Sequence, residues 1–307
     1  MNAMKKILLL SAVSAAAVCA QAQQRVVATA GQDFVIDNIM AASGQNVTYQ
    51  WFRDGEVIPN ATGATYTIPA ISAKMDNGLA INRTSGSRFQ RAAYGIDCAG
   101  GMAMSNVIIV YFCELMVNGV CWAKANADNF GRISSNAWDL GYFYQWNKPS
   151  VSYSPTDPAA GVAISGWNAT PDLNTWTNGY PCPFGWRLPT SQDLQNLYAM
   201  SQPAGGVWVQ GGARGVPAGT NGRLYGYNTT YCTMSSMSGC IFLPAAGNRY
   251  YGNGSLDGQG SFARYWSNEH NSGMMVFFLS FNNSGSMLNS SRSSNGFSIR
   301  CVQDVVQ

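Results

Sequence analysis

The sequence predicts two domains, an N-terminal all-β sandwich and a C-terminal loop-rich α+β domain. The chain has 307 residues, which is enough for two domains of ordinary size. Only 11 % of the residues are charged, while 33 are glycine, 15 are tyrosine and 9 are tryptophan. This composition favours a loop-rich β protein over a helical one. The sequence also changes near residue 114, where strand-like alternation gives way to a series of short motifs.

The first 22 residues have the features of a secretory signal peptide. Lys5 and Lys6 precede an apolar run over residues 7–18, and residues 20–22 form an A-x-A cleavage site. The apolar run is shorter than the roughly 20 residues of a membrane-spanning helix. We therefore expect residues 1–22 to be removed and the mature protein to be exported, without membrane insertion, to the periplasm, the cell surface or the medium.

The mature chain would carry almost no net charge. Removal of two lysines from 18 basic residues leaves 16, against 15 acidic residues. A charge this small gives no electrostatic case for a nucleic acid or an anionic membrane as partner.

Cys19 leaves a lipoprotein anchor open as an alternative, although Val18 is a poor residue immediately before an anchoring cysteine.

The cysteines of an exported chain face an oxidising compartment. Of the eight cysteines, Cys19 lies in the signal peptide and seven would remain. A structural zinc site is disfavoured, because no C-x-x-C pair occurs and His270 is the only histidine. Disulfides are the better interpretation, with one thiol left over. Two pairs are each eight residues apart and could each close a short loop: Cys113 with Cys121, and Cys232 with Cys240. Cys98 would then be the unpaired thiol.

The first domain is expected to consist of strands separated by turns. A strand through Trp51 turns at Asp54-Gly55 and resumes at Tyr66, and residues 102–112 supply a last strand. Residues 23–113 thereby resemble a bacterial immunoglobulin-like domain, in which Trp51 would be the core tryptophan. No cysteine pair brackets Trp51, so the usual disulfide between the sheets is missing. The resemblance implies a spacer or presentation module.

The second domain contains six motifs in a set order. They lie at residues 117–131, 141–150, 181–197, 242–249, 265–271 and 296–302. Their order resembles the Fibrobacter succinogenes major paralogous domain, which is common in exported proteins of gut Bacteroidetes. The resemblance covers nearly all of residues 114–307. That family is thought to be related to the C-type-lectin and formylglycine-generating-enzyme folds, which implies a compact α+β domain whose termini meet in one small sheet.

The third motif predicts a helix. Thr190 and Asp193 have the spacing of a capping box at a helix N-terminus. Leu194, Leu197 and Met200 then fall on one helical face, which we expect to be buried.

Two further expectations concern the core of this domain. Cys182 precedes the helix and Cys301 lies in the terminal strand, so this pair is expected to close the domain with a disulfide. Four tryptophans lie inside the motifs and are expected in the core rather than on a ligand platform: Trp122, Trp146, Trp186 and Trp266.

The sequence offers little support for catalysis. His270 is the sole histidine, no G-x-S-x-G surrounds a serine, and no glycine cluster has the lysine of a phosphate loop. The redox cysteine pair of formylglycine-generating enzymes cannot be matched to positions here. We therefore expect a non-catalytic protein without cofactor, in which His270 is an exposed loop residue. Calcium binding remains an alternative, because Asn268 and Glu269 could supply oxygen ligands in a stretch similar to a lectin W-N-D motif.

The stretch over residues 248–295 is the expected ligand-binding surface. Its last sixteen residues hold seven serines and four asparagines, and they run directly into the apolar alternation of residues 296–302. Tyrosine, asparagine, serine and glycine are typical of recognition loops. The expected contacts to a protein or glycan ligand, possibly on another cell, are Tyr250, Tyr251, Asn253, Asn268, His270, Asn271, Asn282, Asn283, Asn289 and Ser291.

The family resemblance also suggests how such a surface could vary. Exported proteins resembling this chain are among the targets of diversity-generating retroelements, which randomise adenines near the end of a gene. Asparagine codons mutated at adenine give Ser, Tyr, Gly and Asp but never Met or Glu, so Glu269, Met274, Met275 and Met287 would be fixed positions. Ordinary solvated loops are the plain alternative.

Two other functions stay open: a structural subunit of a surface or envelope assembly, and an enzyme of the formylglycine-generating type.

Overall fold

The structure is a computed structural model, and strands predominate in it. It describes residues 24–29, 33–37, 46–68, 75–76, 79–80, 87–95, 102–113, 115–148, 152–172, 174, 176, 181–183, 185–237 and 239–303. The predicted signal peptide, with Cys19, and the predicted free thiol Cys98 lie outside these residues. Within them, no helix is long and apolar enough to cross a membrane. The chain divides into two compact units, one ending at Phe112 and the other spanning Cys113–Asp304.

The first unit is built of short strands. In chain order they are β1 (Gln24–Thr29), β2 (Phe34–Ile36), β3 (Thr48–Arg53), β4 (Glu56–Val57), β5 (Tyr66–Ile68), β6 (Met75–Asp76), β7 (Leu79–Ala80), β8 (Ser87–Tyr94), β9 (Met102–Met104) and β10 (Ile108–Cys113). The main sheet has the order β1-β10-β8-β3-β4, with β9 also paired to β8. Strands β2 and β5 form a separate antiparallel pair, as do β6 and β7.

Trp51 lies at the centre of the first unit's core. Its side chain is fully buried and packs in a cluster that draws residues from both the main sheet and the β2–β5 pair, among them Ile68 and Phe89. The indole Nε1 donates a hydrogen bond to the carbonyl of Gly63 at 2.9 Å, so its polar atom is satisfied inside the core. The expectation that Trp51 is a core residue is therefore met.

Two expected strands differ in detail. After the Asp54-Gly55 turn, where both residues have positive φ, the returning strand is only β4, and Tyr66 belongs to β5, which pairs with β2 instead. Residues 102–112 form two strands rather than one. The ladder is interrupted at Ser105, whose hydroxyl accepts from the amide of Arg91 at 2.9 Å.

The second unit contains fifteen strands in the described residues. They are β11 (Leu115–Val117), β12 (Val120–Trp122), β13 (Phe143–Gln145), β14 (Ser152–Tyr153), β15 (Trp186–Arg187), β16 (Val207–Val209), β17 (Gly222–Gly226), β18 (Cys240–Pro244), β19 (Asn248–Arg249), β20 (Leu256–Asp257), β21 (Phe262–Ser272), β22 (Met275–Asn282), β23 (Ser286–Arg292), β24 (Gly296–Phe297) and β25 (Val302–Gln303). Helix α1 (Ser191–Ala199) and two 3₁₀ turns, Asn129–Gly131 and Thr229–Tyr231, are the helices described there. The unit is thus richer in strand than the expected α+β class.

The antiparallel sheet β21–β22–β23 lies at the centre of this unit. Successive side chains of a strand point to opposite faces, and both faces of β22 are buried. Val276 and Phe278 belong to a cluster with Trp146 and Trp266. Leu279 and Phe281, on the other face, belong to a second cluster that includes residues of α1. The region expected to be polar surface therefore contains a central strand of the core.

The ends of the second unit meet in one sheet of order β11-β12-β25-β15. Trp122 of β12 pairs with Val302 of β25, which pairs in turn with Arg187 of β15. Nearby, a disulfide joins Cys182 to Cys301 with their Cα atoms 5.7 Å apart. The disulfides present join the pairs that the sequence suggested: Cys113 with Cys121, Cys182 with Cys301, and Cys232 with Cys240.

Helix α1 begins as predicted and ends one residue earlier than its apolar pattern suggested. Thr190 and Asp193 form both hydrogen bonds of a capping box. Leu194 and Leu197 are buried, but Met200 is 53 % exposed because it is the C-cap residue, beyond the last helical turn.

Three of the four motif tryptophans are buried, and Trp186 is half-buried at the sheet edge.

The terminal segment is buried without alternation. Every residue from Ser293 to Gln303 is buried, including the polar side chains of Ser298 and Arg300. The segment forms two short strands, β24 and β25, in different sheets, because its middle is satisfied by other partners. Ser298, for example, exchanges main-chain hydrogen bonds with Arg264 and Trp266 at 3.1 Å.

Buried arginines hold the loops against the sheets. The Arg300 guanidinium donates to Asn126 Oδ1 at 2.9 Å and to the carbonyls of Ala123 and Phe242. Burial lowers the pKa of Arg300 to about 10, so it stays charged at neutral pH. Arg249 similarly donates to carbonyls of the loop Ser154–Pro158, at 2.6 to 3.0 Å. A buried charge is tolerated when it is hydrogen-bonded, and most of the acceptors here are main-chain carbonyls of loops.

Candidate ligand-binding surface

Six of the ten expected contact residues are exposed to solvent. The side chains that the structure exposes are Tyr250, Asn253, Asn271, Asn282, Asn283 and Asn289. Tyr251 and Ser291 are half-buried. Asn268 and His270 are half-buried as well, and they lie on β21 rather than in a loop.

Two tyrosines and an arginine form a cluster at one end of the sheet, here called the Tyr–Arg cluster (Tyr250, Tyr251 and Arg292). The two tyrosine rings are 4.3 Å apart between centroids, and the Arg292 guanidinium lies 4.9 Å from the centroid of the Tyr251 ring. The carbonyl of Tyr251 accepts from Trp167 Nε1 at 2.9 Å, which fixes the main chain beneath the rings. A hydrogen bond with Tyr251 raises the pKa of Tyr250, so the Tyr250 phenol stays protonated at neutral pH.

Arg292 links this cluster to strand β23. Asn289 and Ser291 belong to the same strand, and Asn271 Nδ2 reaches across from β21 to donate to Ser290 Oγ at 3.0 Å. The structure therefore brings Tyr250 and Tyr251 together with Arg292, and Asn271 together with Ser290. Asn289 and Ser291 alternate with Ser290 and Arg292 along β23, so their side chains point to the other face of that strand. Arg292 was not among the expected contacts. The only indication of its role in the sequence is that it is a single basic residue within a stretch rich in serine and asparagine.

Other expected contacts lie elsewhere. Asn282 ends β22 and Asn283 follows it in the turn to β23, at the far end of a seven-residue strand that spans roughly 20 Å. Asn282 is held there through its carbonyl, which accepts from Arg223 at 2.5 Å. Asn253 lies in the turn between β19 and β20, and its Oδ1 accepts from the amide of Ser255 at 3.1 Å. These asparagines shape turns and do not adjoin Asn289.

Glu269 accepts hydrogen bonds from the first residue of helix α1. Its Oε2 accepts from the amide of Ser191 at 2.9 Å and from the Ser191 hydroxyl, at the positive end of the helix dipole. Asn268 is held beside it, since its amide donates to the carbonyl of Pro189 at 2.9 Å. Within the described residues, no group of three His, Cys, Asp or Glu side chains could hold a metal ion. Both calcium candidates thus contact the N-terminal end of helix α1, Glu269 through its carboxylate and Asn268 through its main-chain amide.

His270 is packed, not free. Its ring lies 4.2 Å from the Trp146 ring in an edge-on arrangement. Nε2 is 3.1 Å from the carbonyl of Asn174, and because a carbonyl can only accept, Nε2 carries the proton. Glu269 and His270 therefore have separate partners and do not form an acid–base pair. The expectation of an exposed loop histidine was wrong, because β21 continues through this position.

Replacement of Glu269 by alanine is expected to lower the free energy of unfolding by about 1 kcal/mol, since the first turn of α1 loses an anionic acceptor. Thermal unfolding measures the effect. Gln195→Ala, an exposed truncation on the same helix, is the matched control and should change little. Calcium and a chelator should leave the wild-type melting temperature unchanged. A calcium-dependent rise that Glu269→Ala abolishes would contradict the helix-capping role.

Most of the chain matches a known protein family. The family described as the Fibrobacter succinogenes major domain matches residues 44–303. The match begins inside the first unit and extends through the central sheet to β25, so it includes the Tyr–Arg cluster and both buried ends of the second unit. No curated protein matches the chain. Since the matched range covers most of the sequence, the chain belongs to the Fibrobacter succinogenes major domain family.

Proposed function

We propose that this is an exported, non-catalytic, adhesin-like protein that binds a protein or glycan ligand through the surface around the Tyr–Arg cluster. In this proposal the first unit is an immunoglobulin-like module that presents the second. The second unit is a C-type-lectin-like scaffold. The disulfides support export, because such bonds persist in oxidising compartments.

The observation that carries the proposal is that residues 248–295 supply both buried core side chains and exposed polar side chains. The apolar side chains of this stretch form the core, with Trp266, Phe278 and Leu279 fully or almost fully buried. Tyr250 and five asparagines project from the same strands and turns into solvent: Asn253, Asn271, Asn282, Asn283 and Asn289. Aromatic and amide side chains on a rigid sheet are well suited to recognition, because little side-chain entropy is lost on binding.

The same combination supports a retroelement-diversified surface as the finer form of the proposal. Asn271 and Asn289 could vary without disturbing the core, because their side chains are exposed. Glu269, one of the fixed positions, caps α1 and could not vary freely. Met274 and Met287, also fixed, are 45 % and 55 % exposed and would form an invariant apolar part of the surface.

A combined variant, Tyr250→Ala with Asn271→Ala and Asn289→Ala, tests the surface. We expect loss of binding to glycan arrays and to intact bacterial cells that bind the wild type. Exposed substitutions typically change stability by no more than about 0.5 kcal/mol each, so the melting temperature should stay nearly the same. Gln195→Ala serves as the matched surface control. Retained binding, or a large loss of stability, would contradict the proposed surface.

A structural subunit of a surface or envelope assembly is the second candidate. The observation that favours it is that β23 is the edge strand of the central sheet, and edge strands can pair with another chain. The purified protein would then polymerise in a concentration-dependent manner. A monomer at all concentrations tested would remove this candidate.

A further inference from the structure

A cleft of about 360 Å³ opens in the second unit, away from the proposed surface. None of its lining residues belongs to 248–295. The side chains that matter chemically are Asp128, Ser134, Trp138, Asp139, Tyr142 and Thr220. Its volume lies at the lower end of the ~300–1,000 Å³ typical of small-molecule sites.

The walls of the cleft are held in place by main-chain contacts. Gly141 has φ of +69°, and a Cβ there would lie 2.5 Å from the carbonyl of Ala127, so only glycine permits this close approach. The next amide, of Tyr142, donates to that carbonyl at 2.9 Å. Elsewhere in the lining, the carbonyl of Pro155 accepts from Gln259 Nε2 at 2.7 Å, and Arg249 donates to the carbonyl of the preceding Ser154. The cleft is therefore preformed.

Polar groups with unused hydrogen-bonding capacity line the cleft. In the described part of the chain, the hydroxyls of Ser134, Tyr142 and Thr220 have no hydrogen-bond partner. One carboxylate oxygen of Asp128 accepts from the amide of Asn129 at 2.9 Å, and the other has no partner among the described residues. Asp139 is less available, since both its oxygens accept from Asn136.

Two aromatic rings complete the lining. Trp138 is half-buried and packs partly against an apolar cluster of the second unit, while Tyr142 is half-buried beside it in the chain. No lysine or arginine lines the cleft. The lining thus disfavours an anionic ligand and suits one that is rich in hydroxyls and has an apolar face.

We infer that this cleft binds an uncharged sugar, either free or at the end of a glycan. The C–H face of a pyranose packs against the aromatic surface of Trp138, whose ring face is electron-rich. The free oxygen of Asp128 accepts hydrogen bonds from sugar hydroxyls, and the hydroxyls of Tyr142 and Thr220 donate to or accept from others. This site does not depend on the Tyr–Arg cluster and is formed by residues outside the region proposed to vary.

The test uses the methyl glycosides of glucose, galactose, mannose and N-acetylglucosamine with the full mature chain. Saturation-transfer NMR detects binding and calorimetry measures the dissociation constant. Asp128→Asn keeps an oxygen for the Asn129 amide but removes the charge, and Tyr142→Phe removes only a hydroxyl. Each is expected to weaken binding about tenfold, because charge-assisted and buried hydrogen bonds to a ligand are lost.

The combined variant at Tyr250, Asn271 and Asn289 is the control, and it should bind the same glycoside as the wild type does. This separates failure of the cleft from failure of the proposed surface. The inference is overturned if none of the four glycosides binds the wild type. It is also overturned if binding survives both cleft substitutions unchanged, or if lysine methyl ester binds there in place of a sugar, which would identify a cation site.

Discussion

Removal of the Cys182–Cys301 disulfide, by the double change C182A/C301A, is expected to lower the free energy of unfolding by about 4–5 kcal/mol. The bond joins residues 119 positions apart and therefore restricts the unfolded chain strongly. Both cysteines are also buried in the cluster that contains Trp266. Because β25 holds the two ends of the second unit together, loss of the bond should loosen that sheet first.

The matched control is C232A/C240A, which removes a disulfide between residues only eight positions apart. Chain-entropy arguments assign about 3 kcal/mol to a 15-residue loop, so a shorter loop should cost less than that. Urea unfolding without added reductant, followed by circular dichroism, compares the two variants with the wild type. An unchanged midpoint for C182A/C301A would show that the terminal strand is held by packing alone.

Asn126→Ala is expected to destabilise the second unit by about 3 kcal/mol. Asn126 lies at the centre of a buried network: its Oδ1 accepts from Arg300 Nε at 2.9 Å, and its Nδ2 donates to the carbonyl of Leu140 and to the Tyr265 hydroxyl. The alanine variant leaves a donor of a buried cation without an acceptor, which is far more costly than loss of an exposed hydrogen bond. Burial raises the pKa of Tyr265 to about 12, so its phenol remains a donor and bonds the carbonyl of Pro244.

A double-mutant cycle with Arg300→Met distinguishes this network from simple cavity formation. If the unsatisfied charge is the main cost of Asn126→Ala, that cost should fall when Arg300 is absent, and the double variant will be more stable than the two single effects predict. Chemical denaturation of the four proteins gives the coupling energy. Additive effects would mean that Asn126 acts through packing and that Arg300 is satisfied without it.

The sequence predicted the parts of the fold that depend on local chemistry. The capping box at Thr190 and Asp193 needs only two residues at a fixed spacing, and it is present. Trp51 and Trp266 are core residues because a large aromatic side chain has few other stable locations. The disulfide partners were limited in number, and two of the pairs were close in sequence.

The central sheet could not be predicted in the same way. Strand β22 is buried on both faces, so it lacks the alternation that marks a strand with one exposed face. Strand β23 is an edge strand rich in serine and asparagine, a composition that also fits a loop. His270 was therefore expected in a loop, whereas it lies within β21 against Trp146.

The sites depend on contacts between distant segments, which one sequence does not reveal. The Tyr–Arg cluster requires Arg292 to reach a turn some 40 residues earlier. The cleft combines the segment from Asp128 to Tyr142 with Pro155 and Thr220. Each residue alone is an ordinary polar or aromatic residue, and only the fold brings their side chains into one place.

The most direct test of a diversified binding surface is sequencing the last part of the gene, with its flanks, in many cells of one population. We expect substitutions at the codons of exposed residues such as Asn271 and Asn289, and none at those of Trp266, Phe278 or Cys301. An intact near-copy of the region and a reverse-transcriptase gene should lie nearby. A uniform sequence with no template copy would contradict diversification and leave residues 248–295 as a fixed surface.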